Sequence, residues 1–217
     1  MLPEANTALF VAVWLIAFVS LNLFSLIRNR HVEGQEDVET QVDDKRPQGL
    51  IFALAAFGTL FFFLESISYP FLVFTQMLPS GELPFQLHFQ HDSYIQGIGF
   101  LLEGAGYSLF VWSVLERGRY STSWKMPKDH RLVMSGPYRY VRHPSYLAYF
   151  LMFFGLFLLL LNILALIPFV AIPGYVSIAN REEQMLIRRF GKEYIEYQKR
   201  TGRFFPTAKR ADVPEST

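Results

Sequence analysis

Long apolar runs alternate with short polar segments along this chain, and their lengths predict helices that cross a membrane. An apolar run from Thr7 to Ile27, closed by Arg28 and Arg30, reaches the roughly 20 residues that a bilayer requires. It carries no Ala-x-Ala-like cleavage site and reads as a retained helix. Residues 31–47 are polar and acid-rich, with Glu33, Glu36, Asp37, Glu39, Asp43 and Asp44. A second run, Leu50 to Leu78, is interrupted by Glu65 and Pro70. It exceeds one upright span, which predicts tilt or a kink at Pro70. The loop 79–93 holds two prolines and two histidines but no lysine or arginine. A third run, Tyr94 to Leu115, contains Glu103 and the triplet Gly104-Ala105-Gly106, and a basic segment, 116–142, follows it. From Ser145 to Ala179 the chain is apolar for 35 residues, broken by Asn162, Pro168, Pro173 and Gly174. That length suits two short spans in a hairpin turning near Asn162. The pattern predicts an all-α fold, a polytopic membrane protein with five transmembrane helices.

The tail from Arg181 is polar and helical in pattern. Met185, Leu186 and Phe190 recur between charges, and Gly191 reads as a helix stop. Lys192 to Lys199 forms a second helix with Tyr194 and Tyr197 three apart on one face. Both are expected as amphipathic helices on the cytoplasmic surface. The chain then divides into the first three spans (1–116), a core containing the hairpin and the Glu-Glu helix (117–206), and a disordered tail (207–217). Composition agrees with this class: 51% hydrophobic, 17% aromatic and 18% charged residues are too apolar for an ordinary soluble domain. The lack of cysteine excludes disulfides, thiolate metal sites and cysteine nucleophiles. No zinc-type histidine pair appears, so no metal is expected, and the expected surroundings are membrane lipid, not nucleic acid.

Charge placement sets the orientation. Lysine and arginine number 4 in 28–47, 7 in 116–142 and 9 in 181–217, which accounts for all 20. Residues 1–6, the 79–93 loop and the Asn162 turn hold none. With five spans, the excess of positive charge inside puts the N-terminus outside and the C-terminus in the cytoplasm, in a cell inner membrane. Four spans would place the tail opposite the 116–142 segment and break the pattern.

Candidate chemistry gathers at Gly136-Pro137-Tyr138-Arg139-Tyr140-Val141-Arg142-His143-Pro144-Ser145-Tyr146. A proline in a first helical turn leaves no hydrogen bond unmade, so Pro144 opens a membrane helix with Arg142 and His143 at its mouth. The free N–H groups and positive dipole end there are a seat for an anionic group. The plainer alternative is a basic loop anchoring a helix at the headgroups. The hairpin returns Arg181-Glu182-Glu183 to the same face. Paired carboxylates beside an arginine suit a ligand with both charge signs; the alternative is a solvated, salt-bridged juxtamembrane helix.

That stretch, the hydrophobic hairpin, the run Glu182 to Tyr197 and the closing Arg203-Phe204-Phe205-Pro206 together resemble the isoprenylcysteine carboxyl methyltransferase family. The resemblance covers about Arg119 to Pro206 and is to the compact five-span prokaryotic members, within a wider phospholipid methyltransferase-like superfamily. It implies S-adenosylmethionine as cofactor, bound at the cytoplasmic face by His143, Pro144, Ser145, Tyr146 and Glu182, with Tyr138 and Glu183 in the same set. One position departs from the family. Its substrate-contacting arginine lies four residues before the first glutamate, where this chain has Ile178, and the nearest arginine is Arg181.

Methyl transfer from a sulfonium is an in-line displacement that needs alignment and exclusion of water. A substrate carboxylate, with a reference pKa of roughly 3.3–3.7, is already ionised and needs no general base. It needs a cation, and Arg181 or Arg142 is expected to supply it. The expected acceptor is the carboxylate of a prenylated cysteine or a similar lipophilic group entering from the bilayer. Phospholipid or amine N-methylation would instead require a base such as Glu65 or Glu103. A sterol-reductase-like enzyme using NADPH and a non-enzymatic membrane protein are the remaining alternatives. The Gly104-Ala105-Gly106 triplet resembles the glycine pair of phospholipid N-methyltransferases, or else provides small-residue packing between helices. Glu65 and Glu103 are expected to face the protein interior or a water-filled cavity rather than lipid, and His88 and His91 to lie on the far side from the site.

Overall fold

The computed structural model describes residues 1–33, 49–78, 83–118 and 131–207. Most of the acid-rich segment 31–47, the middle of the basic segment and all but the start of the 207–217 tail lie outside the described residues. The described residues form helices without a β-strand: α1 (Glu4–Glu33), α2 (Leu50–Phe74), α3 (Asp92–Arg117), α4 (Pro144–Leu160), α5 (Ile172–Phe190) and α6 (Lys192–Arg200). A short 3-10 turn, Gly136–Arg139, precedes α4, and a 3-10 segment, Ile163–Ala171, precedes α5. Four helical segments are long and apolar enough to cross a membrane: Glu4–Ile27, Leu50–Phe74, Asp92–Arg117 and Ile163–Phe190. α4 is equally apolar but shorter, at 17 residues.

Several boundaries differ from the sequence reading. α2 runs unbroken through Pro70 and ends at Phe74, before the expected Leu78. Beyond it, Gln76 takes a left-handed conformation with φ 55°. The hairpin turns where it was expected, with Leu161 in the left-handed region at φ 47°. Asn162 secures the turn, donating to the Pro84 carbonyl at 2.6 Å and accepting from the Leu164 N–H at 2.8 Å. The return leg starts as a 3-10 helix, since Pro168 within it has no N–H to offer a longer-range bond. The Glu-Glu segment is not a separate amphipathic helix. It is the second half of α5, because nothing between Ile172 and Phe190 interrupts the ladder after Pro173 in the first turn. Gly191, at φ 55°, ends α5 and lets α6 start at once in a new direction.

α3 and α4 form the most extensive helix pair. Their backbones approach through Gly99, Gly106 and Gly155, positions with no room for a side chain. A Cβ on Gly155 would lie 2.5 Å from the Glu103 nitrogen, and one on Gly106 would lie 2.7 Å from Met152 Cγ. Gly104 is different, since a Cβ there would meet nothing nearer than Phe10 Cζ at 3.7 Å. The triplet therefore serves helix packing through Gly106. Phe62, Tyr107, Met152, Phe153, Leu156 and Leu159 fill the core around this pair. Glu103 is fully buried within it, while Glu65 is only half-buried. Leu9, Val13, Ile16, Leu60, Leu64 and Phe71 on α1 and α2 point outward, as lipid-facing positions should.

Candidate functional site

Three segments distant in sequence meet where α4 begins: the approach from Gly136 to His143, the second half of α5, and the chain leaving α6. The last strand of contact is backbone. Val141 and Gly202 form a parallel bridge, with the Arg142 N–H donating to the Gly202 carbonyl at 2.8 Å and the His143 N–H to the Arg203 carbonyl at 3.0 Å. The Tyr197 hydroxyl donates to the Tyr138 carbonyl at 2.5 Å, which pins α6 against the same turn. Pro144 then occupies the first turn of α4, and His143 is held at its entrance.

Glu183 sits at the centre. Its Oε1 accepts from Arg142 Nε at 2.8 Å and faces His143 Nε2 at 3.2 Å, and its Oε2 accepts from Gln198 Nε2 at 3.1 Å. Arg203 Nε stands 3.7 Å from the same Oε1. Glu182 takes the other side of the imidazole, with Oε2 3.5 Å from His143 Nδ1, and Oε1 accepts from the Tyr146 hydroxyl at 2.8 Å. Successive residues on a helix diverge, so the two carboxylates reach His143 from its two nitrogens. Burial opposes a charge on this imidazole, but hydrogen bonds and charge from Glu182 and Glu183 outweigh it and raise the His143 pKa above its usual 6.5. The Tyr146 ring stacks on the His143 ring at 5.5 Å, and Phe204 lies 5.8 Å from that ring.

The expected residues do not all share this cluster. Tyr138, Arg142, His143, Tyr146, Glu182 and Glu183 come together. Ser145 turns instead to α3, where its Oγ meets Ser113 Oγ at 2.8 Å. Arg142 is spent on structure: besides Glu183 it donates to the carbonyls of Gln198, at 3.2 Å, and Thr201. Arg181 is exposed and has no hydrogen-bond or ion-pair partner among the described residues. Gln198, Thr201 and Arg203 complete the cluster without having been singled out for it. The closing Arg203-Phe204 motif was a usable signal, but nothing in the sequence points to Gln198. His88 and His91 sit at the start of α3, at the opposite end of that helix from Ser113.

This donor set fits a ligand carrying both an aromatic base and charges of both signs. Glu183 is saturated by its four neighbours, whereas Glu182 keeps lone pairs beyond Tyr146 and His143 and can accept from an ammonium or a hydroxyl. The Tyr138 hydroxyl is buried and has no hydrogen-bond partner among the described residues. The sequence model of the phospholipid methyltransferase family matches residues 95–193. That segment contains α3, α4 and α5, hence both glutamates and His143, but stops before Gln198 and Arg203.

Among curated proteins, the protein-S-isoprenylcysteine O-methyltransferase of Saccharomyces cerevisiae is 42% identical over 80 residues, 36% of this chain and 34% of that protein. The protein of the same name from Tribolium castaneum is 37% identical over 81 residues, 36% of this chain and 28% of that protein. The Homo sapiens protein is 37% identical over 87 residues, 39% of this chain and 30% of that protein. The matches thus span about a third of the length of these relatives. The solved structure of the eukaryotic intramembrane Ras methyltransferase ICMT aligns with 98% of this chain and 71% of its own, at 22% identity and a TM-score of 0.49.

Proposed function

We propose that this protein is an integral membrane methyltransferase that uses S-adenosylmethionine to O-methylate a carboxylate on a lipophilic acceptor, a prenylated cysteine in the first instance. The observation that carries the reading is the cluster of Tyr146, His143, Glu182, Glu183 and Arg142 at the mouth of α4, inside the family segment. Tyr138, His143, Pro144, Tyr146, Glu182 and Glu183 form the cofactor side, with Ser145 behind them, turned to Ser113. S-adenosylmethionine held there supplies the methyl carbon on its sulfonium. Glu182 offers spare lone pairs to the ligand's ammonium or ribose hydroxyls. Glu183, Arg142 and Gln198 hold His143 and the chain termini of α4 and α6 in place. No residue needs to remove a proton from an acceptor already ionised at neutral pH. Arg181, exposed on the same stretch of α5, is positioned to meet an acceptor arriving from outside the cluster.

In this reading the chain crosses an inner membrane five times. The 17 residues of α4 have a length of about 25 Å at 1.5 Å per residue, near the lower limit for a span. The distribution of lysine and arginine then places the N-terminus outside and the cluster, α6 and the C-terminus in the cytoplasm. Reporter tags after Thr217 should be cytoplasmic and tags in 79–93 external; finding both on one side would exclude the topology. Phospholipid N-methylation is a second reading, favoured by the fully buried Glu103, which would have to act as base for an ammonium acceptor.

The deciding experiment incubates purified protein with methyl-labelled S-adenosylmethionine and a farnesyl- or geranylgeranyl-cysteine derivative. A base-labile product that releases labelled methanol supports O-methylation. Base-stable label on a lipid amine would decide for the second reading. Folded protein that binds no S-adenosylhomocysteine by calorimetry would remove both.

A further inference from the structure

We propose that Arg117 and Tyr138 form a carboxylate-binding subsite beside the cluster, receiving the carboxylate of either the acceptor or the cofactor's methionine moiety. The proposal rests on the methyltransferase reading above and adds a site to it. Arg117 is the last residue of α3, and among the described residues its buried Nε has no hydrogen-bond partner. An arginine that ends a membrane helix ordinarily extends its head into water, so a buried guanidinium nitrogen there is unusual. Tyr138 is 7% exposed, and among the described residues its hydroxyl makes no hydrogen bond of ordinary geometry, with the Ser145 hydroxyl as a neighbour. The two groups lie within electrostatic reach of each other, and the Tyr146 hydroxyl lies within reach of Arg117 as well.

The groups already present do not meet this need. Ser145, the hydroxyl next to Tyr138, is bonded to Ser113 at 2.8 Å. Glu182 keeps lone pairs beyond Tyr146 and His143, but it makes no hydrogen bond to the Tyr138 hydroxyl or to Arg117 Nε. Glu116 is packed over the turn, where a Cβ on Gly136 would lie 2.7 Å from its Cδ. Both unpaired atoms are donors and one is cationic. Buried donors are almost always satisfied, so two unmade bonds at one place call for an acceptor with negative charge. A carboxylate answers both, since a guanidinium fork and a phenol can share its two oxygens. The other arginines of the region are less suited: Arg142 is committed to Glu183 and two carbonyls, Arg203, whose Nε is likewise unbonded, already faces Glu183 and donates to Asn180, and Arg181 is exposed.

The test compares ligands with and without the carboxylate, on the full chain in detergent. One arm titrates S-adenosylhomocysteine against methylthioadenosine, which keeps the nucleoside and lacks the amino-acid carboxylate. The other compares N-acetyl-S-farnesylcysteine with its carboxamide as competing ligands. Arg117→Met should reduce the preference for the carboxylate ligand at least tenfold in one arm, and Tyr138→Phe several-fold in the same arm. Arg117→Lys should restore part of it, and the carboxylate-free ligand should bind all variants as it binds wild type. The arm that responds identifies the source of the carboxylate. Preferences kept in both arms by Tyr138→Phe and Arg117→Met would overturn the subsite alone. Should Arg117→Met fail to fold, Tyr138→Phe, which removes a single oxygen, carries the test. Wild-type protein that binds neither family of ligands would overturn the methyltransferase reading and the subsite with it.

Discussion

Glu182 and Glu183 are neighbours on α5 with different partners, and glutamine at each position separates their roles. Glu183 faces Arg142 at 2.8 Å, Gln198 at 3.1 Å and His143 at 3.2 Å, with only 13% of its side chain exposed. Removing its charge leaves the Arg142 cation and the His143 imidazole largely buried beside a neutral amide. Breaking a buried pair from one side costs about 3–5 kcal/mol; glutamine keeps the shape and one carbonyl oxygen, so about 3 kcal/mol is expected. For a chain of this size each kcal/mol moves the melting midpoint by roughly 2–4 °C, giving a fall of roughly 6–12 °C for Glu183→Gln. Glu182 has a single short bond, from Tyr146, so Glu182→Gln should cost only about 1 kcal/mol of stability. It should instead remove a charge-assisted bond to the ligand, worth about 1.5–3 kcal/mol, or roughly 10- to 150-fold in the S-adenosylhomocysteine Kd. Thermal unfolding in detergent and calorimetric titration read the two effects separately. If Glu183→Gln melts with wild type, or if Glu182→Gln binds undiminished, the division of roles is wrong.

Two further outcomes follow from the same contacts. Because the His143 pKa is raised in the folded protein, its clamp contributes fully below the unfolded value of about 6.5 and is lost as pH rises through the folded value. The melting midpoint should therefore decline as pH rises above that point, and the decline should flatten in His143→Asn; a wild-type profile with no such fall would contradict the clamp. Gly155→Ala should destabilise by about 1–3 kcal/mol, since its Cβ would strike the α3 backbone at Glu103. Gly104→Ala, with ordinary contact distances, should be neutral or stabilising by up to about 1 kcal/mol, and equal losses at the two sites would contradict the packing.

The helical architecture was legible because apolar run length is a strong signal: the long apolar helices and the turn near Asn162 follow from it, and the stop at Gly191 follows from the glycine itself. Boundaries were less so. A change from apolar to charged at Asn180 looks like a helix end in the pattern, but it marks only the change of surroundings along a continuous α5. The two halves of the site were legible as clusters of charge, and the hairpin told that they share a face. What the sequence could not convey was pairing. Arg142 and Arg181 read as equivalent cations near two glutamates, and only the structure distinguishes the one that is committed. Gln198 and Thr201 escaped notice because their part depends on where α6 ends against the mouth of α4. Arg117 escaped for a similar reason: in sequence it is one more arginine in a basic segment.

Arg142 also explains why the tail of the chain belongs to the site. The last carbonyls of a helix have no partner within it, and they carry its negative dipole end. At the end of α6 the Arg142 guanidinium donates to the carbonyls of Gln198 and Thr201, while its Nε holds Glu183. One side chain thus caps α6 and fixes the central carboxylate, and the Val141–Gly202 bridge locks the backbone on either side. Through Nε and Nη1 the guanidinium is thereby fixed in place, and a fourth acceptor could be reached only by its Nη2 donors. In the subsite proposed above, Arg117, whose buried Nε lacks a partner among the described residues, would take a carboxylate without loosening that cap, and exposed Arg181 would meet an acceptor only from outside the cluster.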